Sequence, residues 1–433
     1  MSGEMVGVCG IAVMVALMIL GMPIAFAMTL VGFLGFAYLT SWDGGFFLLG
    51  DSFYFQFTSY TMLVIPLFVF MGEIAFHSGI SKRIYRTAHA WLGFIPGGLA
   101  VATIGACAGF AAICGSSTAT AATMGTVALP EMKKHQYDPA LASGTVAAGG
   151  TLGILIPPSI VLIVYGIQTE LSIGKLFIAG ILPGMILTAL FTFCILLMCF
   201  IRPSLGAPAS KTTLKEKMNA LSGTVEMAIL FCLVIGGLLI GWFTPTEAAG
   251  IGAAGAIAIG VVRRSLNWEG FKKALLGTTR TSAMVLLIIA GAMIFSRFLT
   301  VSGLPQGLAS WVDSLDASPY VVLLCIMVIY IIGGCFMDPL SFLIITINIF
   351  FPMIIEAGFD PVWFGVIIVI LLETGAITPP VGINVYVIKG IAHDVDLHTI
   401  FKGISPFLMV LFLGLIILTI FPNIVLFLPS LVR

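Results

Sequence analysis

Twice in this chain an apolar run is broken by two adjacent prolines: Gly150-Thr-Leu-Gly-Ile-Leu-Ile-Pro157-Pro158-Ser159 and Glu373-Thr-Gly-Ala-Ile-Thr-Pro379-Pro380. Proline removes a backbone donor, clashes with the preceding helical turn and biases the residue before it toward extended backbone. A helix does not run through either segment unbroken. Where such sequence lies in a bilayer, lipid cannot satisfy the freed carbonyls and amides, which must face protein, water or a bound ion. A matched pair of breaks in two halves of a membrane protein points to a binding site between them.

Composition places these breaks in a membrane. The chain is 60% hydrophobic and only 9% charged, with mean hydropathy +1.16, well beyond a soluble domain. Its 433 residues allow about ten spans of roughly 20 residues each. Formal net charge is zero, so nothing in the balance of charge favours nucleic acid as a partner. The N-terminus has no basic region ahead of its apolar stretch, and Pro23 continues that stretch, so a retained span is expected there. All eight cysteines fall in or beside apolar segments without metal-ligand spacing, as packing residues do.

The expected class is an all-α polytopic protein of about ten transmembrane helices plus two opposed re-entrant hairpins. Residues 1–59 are expected to form N-terminal scaffold helices and an aromatic interfacial segment. A first repeat, 60–201, holds a scaffold helix, a cytoplasmic-side hairpin and the broken helix 139–167. A linking loop and two scaffold helices fill 202–280, which ends in a basic loop with Arg263, Arg264, Lys272, Lys273 and Arg280. A second repeat, 281–433, brings a scaffold helix, a periplasmic-side hairpin, the broken helix 361–388 and a last span near 404–428. The first hairpin turns at Gly115-Ser-Ser-Thr118, and its return limb, 118–130, reaches only about 20 Å as a helix against a hydrocarbon core of about 30 Å. The second turns at Gly333-Gly-Cys-Phe-Met-Asp338-Pro339.

The two halves match without gaps. Adding 222 to the first half's numbers superposes Pro130 on Pro352, Asp138-Pro139 on Asp360-Pro361, and Pro157-Pro158 on Pro379-Pro380, and sets Ser116 against Asp338. A run of coincident dipeptides marks an internal duplication. Charge gives its sense. Lys82, Arg83, Arg86, Lys133 and Lys134 flank the first hairpin, whereas Asp313, Asp316, Glu356 and Asp360 flank the second, with no basic residue between Arg297 and Lys389. Under the positive-inside rule the first opens to the cytoplasm and the second to the opposite side, so the repeats are inverted. Counting spans from these loops puts both termini outside.

Gly115-Ser-Ser-Thr-Ala-Thr-Ala-Ala-Thr, Gly153-Ile-Leu-Ile-Pro-Pro-Ser159 and Gly375-Ala-Ile-Thr-Pro-Pro together resemble the large membrane subunit (M subunit, DctM-like) of the tripartite ATP-independent periplasmic (TRAP) transporters, over nearly the whole chain. The resemblance implies a sodium-driven importer in the bacterial inner membrane, fed with an organic acid by a periplasmic substrate-binding protein. It implies a partner membrane subunit of about four helices and an elevator motion of a transport domain against a scaffold. Both termini are expected to be periplasmic.

The residues support an ion and carboxylate site on their own terms. Sodium is a hard cation that prefers oxygen ligands, which freed carbonyls and small hydroxyls supply. Sodium site 1 is expected at Ser116, Ser117, Gly153, Ile156 and Pro158, and its inverted counterpart, site 2, at Gly334, Gly375 and Thr378. For substrate contact the candidates are Ser116 and Ser159, as donors to a carboxylate, and Asp338, as an acceptor. Each has a plain alternative: small residues in membrane helices commonly serve close packing, and Asp338, followed by proline, suits an N-cap. An acid at bilayer depth is nevertheless expensive and marks function by default. No catalytic residue is expected. An intramembrane serine protease needs a base, and no histidine lies inside an expected span; an aspartyl protease needs a second acid, but Ser116 stands opposite Asp338. A single-component anion transporter of related fold, coupled to sodium or protons, is the nearer rival.

Overall fold

The computed structural model describes residues 2–208, 212–314 and 318–431, excepting the side chains of residues 309 and 311–314. Asp316 and the side chain of Asp313, part of the acidic set expected beside the second hairpin, lie outside the described residues. Every regular element there is a helix, as backbone in an apolar medium requires. Helices α1 (Gly3–Ile19) and α2 (Ile24–Leu39) turn at Gly21, whose φ is +91°. Helix α3 (Trp42–Thr58), capped by Ser41, exposes Trp42, Phe46, Phe47 and Tyr54, the aromatic surface expected near 43–59. A short 3-10 turn leads into α4 (Val64–His77), giving a continuous span from Tyr60 to His77. Helix α5 (Ile80–Leu92) carries Lys82, Arg83 and Arg86 and buries Ile80, Ile84 and Tyr85.

Helices α6 (Gly98–Cys114) and α7 (Ser117–Lys134) form the first helix pair, joined at a tip of two residues, Gly115 and Ser116. The return limb is longer than expected. It runs through Pro130 to Lys134, 18 residues in all, or about 27 Å. Pro130 removes one hydrogen bond without ending the helix, since four further residues continue it. Limb length therefore does not set this pair apart from a crossing. The chain then makes α8 (Pro139–Gly150), a 3-10 turn at Thr151–Gly153, and α9 (Ile160–Gln168), so the first Pro-Pro segment is indeed a break. Next come α10 (Ile173–Ile201), α11 (Leu214–Leu221), α12 (Val225–Ile240), α13 (Pro245–Val262) and α14 (Trp268–Ser302).

Helix α14 corrects another boundary. Lys272, Lys273 and Arg280, expected in a loop, lie on a 35-residue helix that starts at Asn267. The Asn267 side chain accepts from Gly270 N at 2.7 Å, and Glu269 pairs with Lys273 at 2.7 Å one turn on; both favour an early start. Beyond α15 (Leu304–Ser314) the second helix pair, α16 (Pro319–Phe336) and α17 (Pro339–Glu356), meets at Met337 and Asp338, and its return limb also continues past Phe351. The second broken helix is α18 (Pro361–Ile377) and α19 (Ile383–Lys389). The last span, expected at 404–428, is α20 (Leu397–Ile420), after which Pro422 opens a separate α21 (Pro422–Ser430).

Among the described residues, seven helices are long and apolar enough to cross a bilayer singly, and α11 with α12, bent by 42°, can be counted as an eighth. The expected ten differ because α1, α2 and both broken helices are shorter pieces, while α16 and α17 each qualify by length.

The offset of 222 relates like caps. Asp138 Oδ1 accepts from Ala140 N and Leu141 N at 2.9 and 3.1 Å, and Asp360 Oδ1 from Val362 N and Trp363 N at 2.8 and 2.9 Å. In each case proline occupies the first helical turn, where its missing donor costs nothing. Helices α8 and α20 approach backbone to backbone: a Cβ on Gly403 would fall on the Ala140 carbonyl, and one on Gly144 on the carbonyl of Gly403. Gly403→Ala is therefore expected to destabilise the protein by about 1–3 kcal/mol, read as a lower melting temperature in detergent. Gly250→Ala, inside α13 where nothing lies within 4 Å, should leave the melting temperature unchanged or slightly raised.

Candidate functional site

Each broken helix is covered by a tip. At the first, Gly115 takes φ +64° and ends α6, a left-handed turn natural to glycine. Ser116 then caps α7, its Oγ 3.4 Å from Ala119 N and 3.3 Å from Thr118 Oγ1. The tip rests directly on the break. Gly115 O accepts from Ile160 N at 3.4 Å. A Cβ on Gly153 would lie 2.5 Å from Ser116 O, and one on Gly115 2.7 Å from Pro158 O, so neither position has room for a side chain. The structure thus brings Ser116, Ser117, Gly153 and Pro158 together. Ile156 points its side chain elsewhere, against Gly184 of α10.

The second tip repeats the arrangement. Gly382 N donates to Cys335 O at 3.4 Å, and a Cβ on Gly375 would come within 2.6 Å of Gly334 Cα. Gly334 and Gly375 are therefore in backbone contact. Thr378 ends α18 with its Oγ1 turned back to Thr374 O at 2.6 Å. Asp338 caps α17, its Oδ2 accepting from Ser341 N and Ser341 Oγ at 3.3 and 3.4 Å. Both Pro157-Pro158 and Pro379-Pro380 are cis.

The two tips face one cavity. Its volume is about 440 Å³, and its wall includes Ser116, Ser117 and Thr118 from the first tip, Asp338 from the second, and Thr281 from α14, with no basic side chain. A smaller crevice of about 190 Å³ shares Ser116 and Thr281 and runs on to Glu73 and Phe76 of α4. Ser159 does not reach the wall. It is fully buried and caps α9, its Oγ accepting from Leu162 N at 3.2 Å.

Two side chains absent from the expected set lie here. Glu373 of α18 and Asn384 of α19 are buried without a hydrogen-bond partner on any side-chain oxygen or nitrogen. Glu373 neighbours Ser117, Asn384 and Asp338. Its signal was present in the sequence, since an acid inside the second Pro-Pro segment meets the same rule that singles out Asp338. The broken helices also touch: Tyr165 Oη of α9 donates to Pro361 O at the start of α18, 2.6 Å away. The oxygens gathered here are carbonyls, hydroxyls and two carboxylates, a donor set that fits a hard cation.

Residues 11–424 match the family described as "Tripartite ATP-independent periplasmic transporter, DctM component". The chain is 39% identical to the C4-dicarboxylate TRAP transporter large permease protein DctM of Pseudomonas aeruginosa, over 86% of each chain. It is 33% identical to the sialic acid TRAP transporter large permease protein SiaM of Vibrio cholerae, over 96% of each. Among solved structures, the YdaH transporter of Alcanivorax borkumensis, described as having an unusual topology, superposes with a TM-score of 0.63 over 88% of this chain and 89% of that one, at 17% identity. That likeness concerns the fold alone.

The cap geometry separates charge from capping at Asp338. Asparagine caps as well as aspartate, whereas alanine costs about 1 kcal/mol. Asp338→Asn is expected to melt with the wild type and Asp338→Ala about 1–2 °C below it, by thermal unfolding in detergent.

Proposed function

The chain belongs to the DctM family, the large permeases of TRAP transporters, and from that premise we propose that it imports a small organic acid, handed over by a periplasmic binding protein, by sodium-coupled secondary transport. It is a multi-pass inner-membrane permease and not an enzyme. The substrate class follows the relatives, which are named for a C4-dicarboxylate and for sialic acid. The partners are the binding protein and a small membrane subunit of about four helices.

One observation carries the mechanism: both tips line a single cavity that holds hydroxyls and an acid but no basic side chain. A carboxylate substrate entering that cavity needs positive charge from elsewhere. Sodium bound at the tips supplies it, and each then raises the other's affinity by the same factor. Sodium site 1 is assigned to the oxygens of Ser116, Ser117, Gly153 and Pro158, with Ile156 contributing backbone only. Site 2 is assigned to Gly334, Gly375 and Thr378. Ser116 and Asp338 contact substrate directly, while Ser159 holds the start of α9 behind the wall. The same meeting of tips supports the re-entrant reading, because two pairs that crossed fully would leave their tips at opposite surfaces.

Alternating access is assigned to an elevator motion in which the helix pairs and broken helices move as one body against a scaffold that includes α2, α4 and α14. The crevice toward Glu73, close before the basic run from Lys82 to Arg86, supports reading the structure as open to the cytoplasm, with both termini periplasmic.

Uptake into proteoliposomes, with and without sodium and the cognate binding protein, tests the reading. Transport is expected only with both; full uptake without the binding protein would establish a stand-alone transporter instead. Asp338→Asn, with its cap intact, should lower uptake at least about tenfold, the loss expected when a charge-assisted hydrogen bond of about 1.5–3 kcal/mol is removed. Wild-type uptake and sodium dependence would remove Asp338 from the site.

A further inference from the structure

Glu373 stands apart from the two tip sites. It belongs to the second broken helix, yet its neighbours include Ser117 at the tip of the first pair and Asn384 on α19. Glu373 is 1% exposed and Asn384 fully buried. Neither Glu373 oxygen, and neither Asn384 Oδ1 nor Nδ2, has a hydrogen-bond partner. Buried polar groups are ordinarily paired, and one left open calls for an unseen partner. Three such oxygens on two adjoining side chains, one of them an acid, describe a site for a ligand, while the fourth atom, Asn384 Nδ2, is a donor.

The chemistry of that ligand follows from the donors. Among the described residues, no basic side chain pairs with Glu373. A second acid, Asp338, faces the same region, and the adjoining cavity wall has no basic residue. The oxygens available are the two of Glu373, Oδ1 of Asn384 and the hydroxyl of Ser117, a hard set carrying one negative charge. Hard oxygens with a single carboxylate suit a monovalent alkali cation better than a thiolate- or imidazole-seeking metal. The offset of 222 puts Thr151 opposite Glu373 and Leu162 opposite Asn384, so this set has no copy in the first repeat.

We infer that Glu373, Asn384 and Ser117 form a third sodium site, placed between the two repeats and present once. The inference rests on the sodium-coupled reading above. Ser117 would then belong to two ion shells, its backbone to site 1 and its hydroxyl to the third, linking their occupancies through one residue.

Equilibrium binding of radiolabelled sodium to the purified transporter with its small subunit, at constant ionic strength in choline and without organic acid, tests this. Glu373→Gln is expected to remove one bound ion per chain or to raise the half-saturating sodium concentration at least about tenfold. Asn384→Ala, which keeps the charge, should weaken binding about 10- to 100-fold, the range seen when a metal site loses one supporting group. If Glu373→Gln does not give a monodisperse protein, Glu373→Asp replaces it, with unchanged stoichiometry and weaker affinity expected. Wild-type stoichiometry and affinity in the Glu373 and Asn384 variants would overturn the third site, and so would a Glu373→Gln protein that binds sodium normally and loses only the pH dependence of uptake, since its carboxyl would then carry a proton. A wild-type protein that binds no sodium would instead overturn the coupled reading itself.

Discussion

An amide freed by a broken helix in an apolar interior has to find an acceptor, and here it finds one in the opposing tip. Ile160 N reaches Gly115 O and Gly382 N reaches Cys335 O, each at 3.4 Å. Both are long bonds. They hold two tips against two breaks without consuming every freed carbonyl, which is the condition for a site that grips an ion and still releases it. Glycine enforces the fit: Gly153 under Ser116 and Gly375 under Gly334 leave the tip and the break in backbone contact. A side chain at either place would push the tip off the break.

Sequence reading went furthest where chemistry is local. The Pro-Pro segments stop helices because proline cannot continue them, and Asp138-Pro139 and Asp360-Pro361 start helices because an acid and a proline suit the first turn. The Pro-Pro signals located both breaks; the Asp-Pro pairs entered as marks of the duplication, and the structure shows them to be caps. Limb lengths were less legible. Pro130 was read as an end and is an interior residue of α7, because one missing hydrogen bond does not outweigh the turn that follows it. Likewise, the lysines and arginine expected in a loop before residue 281 ride on the first turns of α14, where charge says which side of the membrane is near but not where helix begins.

The site was legible in part. Ser116, Ser117 and Asp338 lie on one cavity wall, as their places at the two knots suggested. Ser159 was read from its position beside the prolines, but a serine that opens a helix spends its hydroxyl on the helix, and here it caps α9. Glu373 was passed over although its type and depth already qualified it. Like Asp338, which faces Ser116 across the duplication, it has no acidic counterpart, since Thr151 stands opposite. The duplicated framework and the unduplicated acids thus carry different information, one about fold and the other about chemistry.

The hydrogen bond from Tyr165 to Pro361 O ties the outer end of the first break to the entry of the second. A tyrosine fully buried at that junction acts as a strut between the two repeats. A tilt of one break relative to the other would have to give up that bond, so the two breaks are coupled through it. Under the proposed ion coupling, filling a site at one end would be felt at the other through this contact, and a partly loaded carrier would differ from a full one in packing as well as in charge.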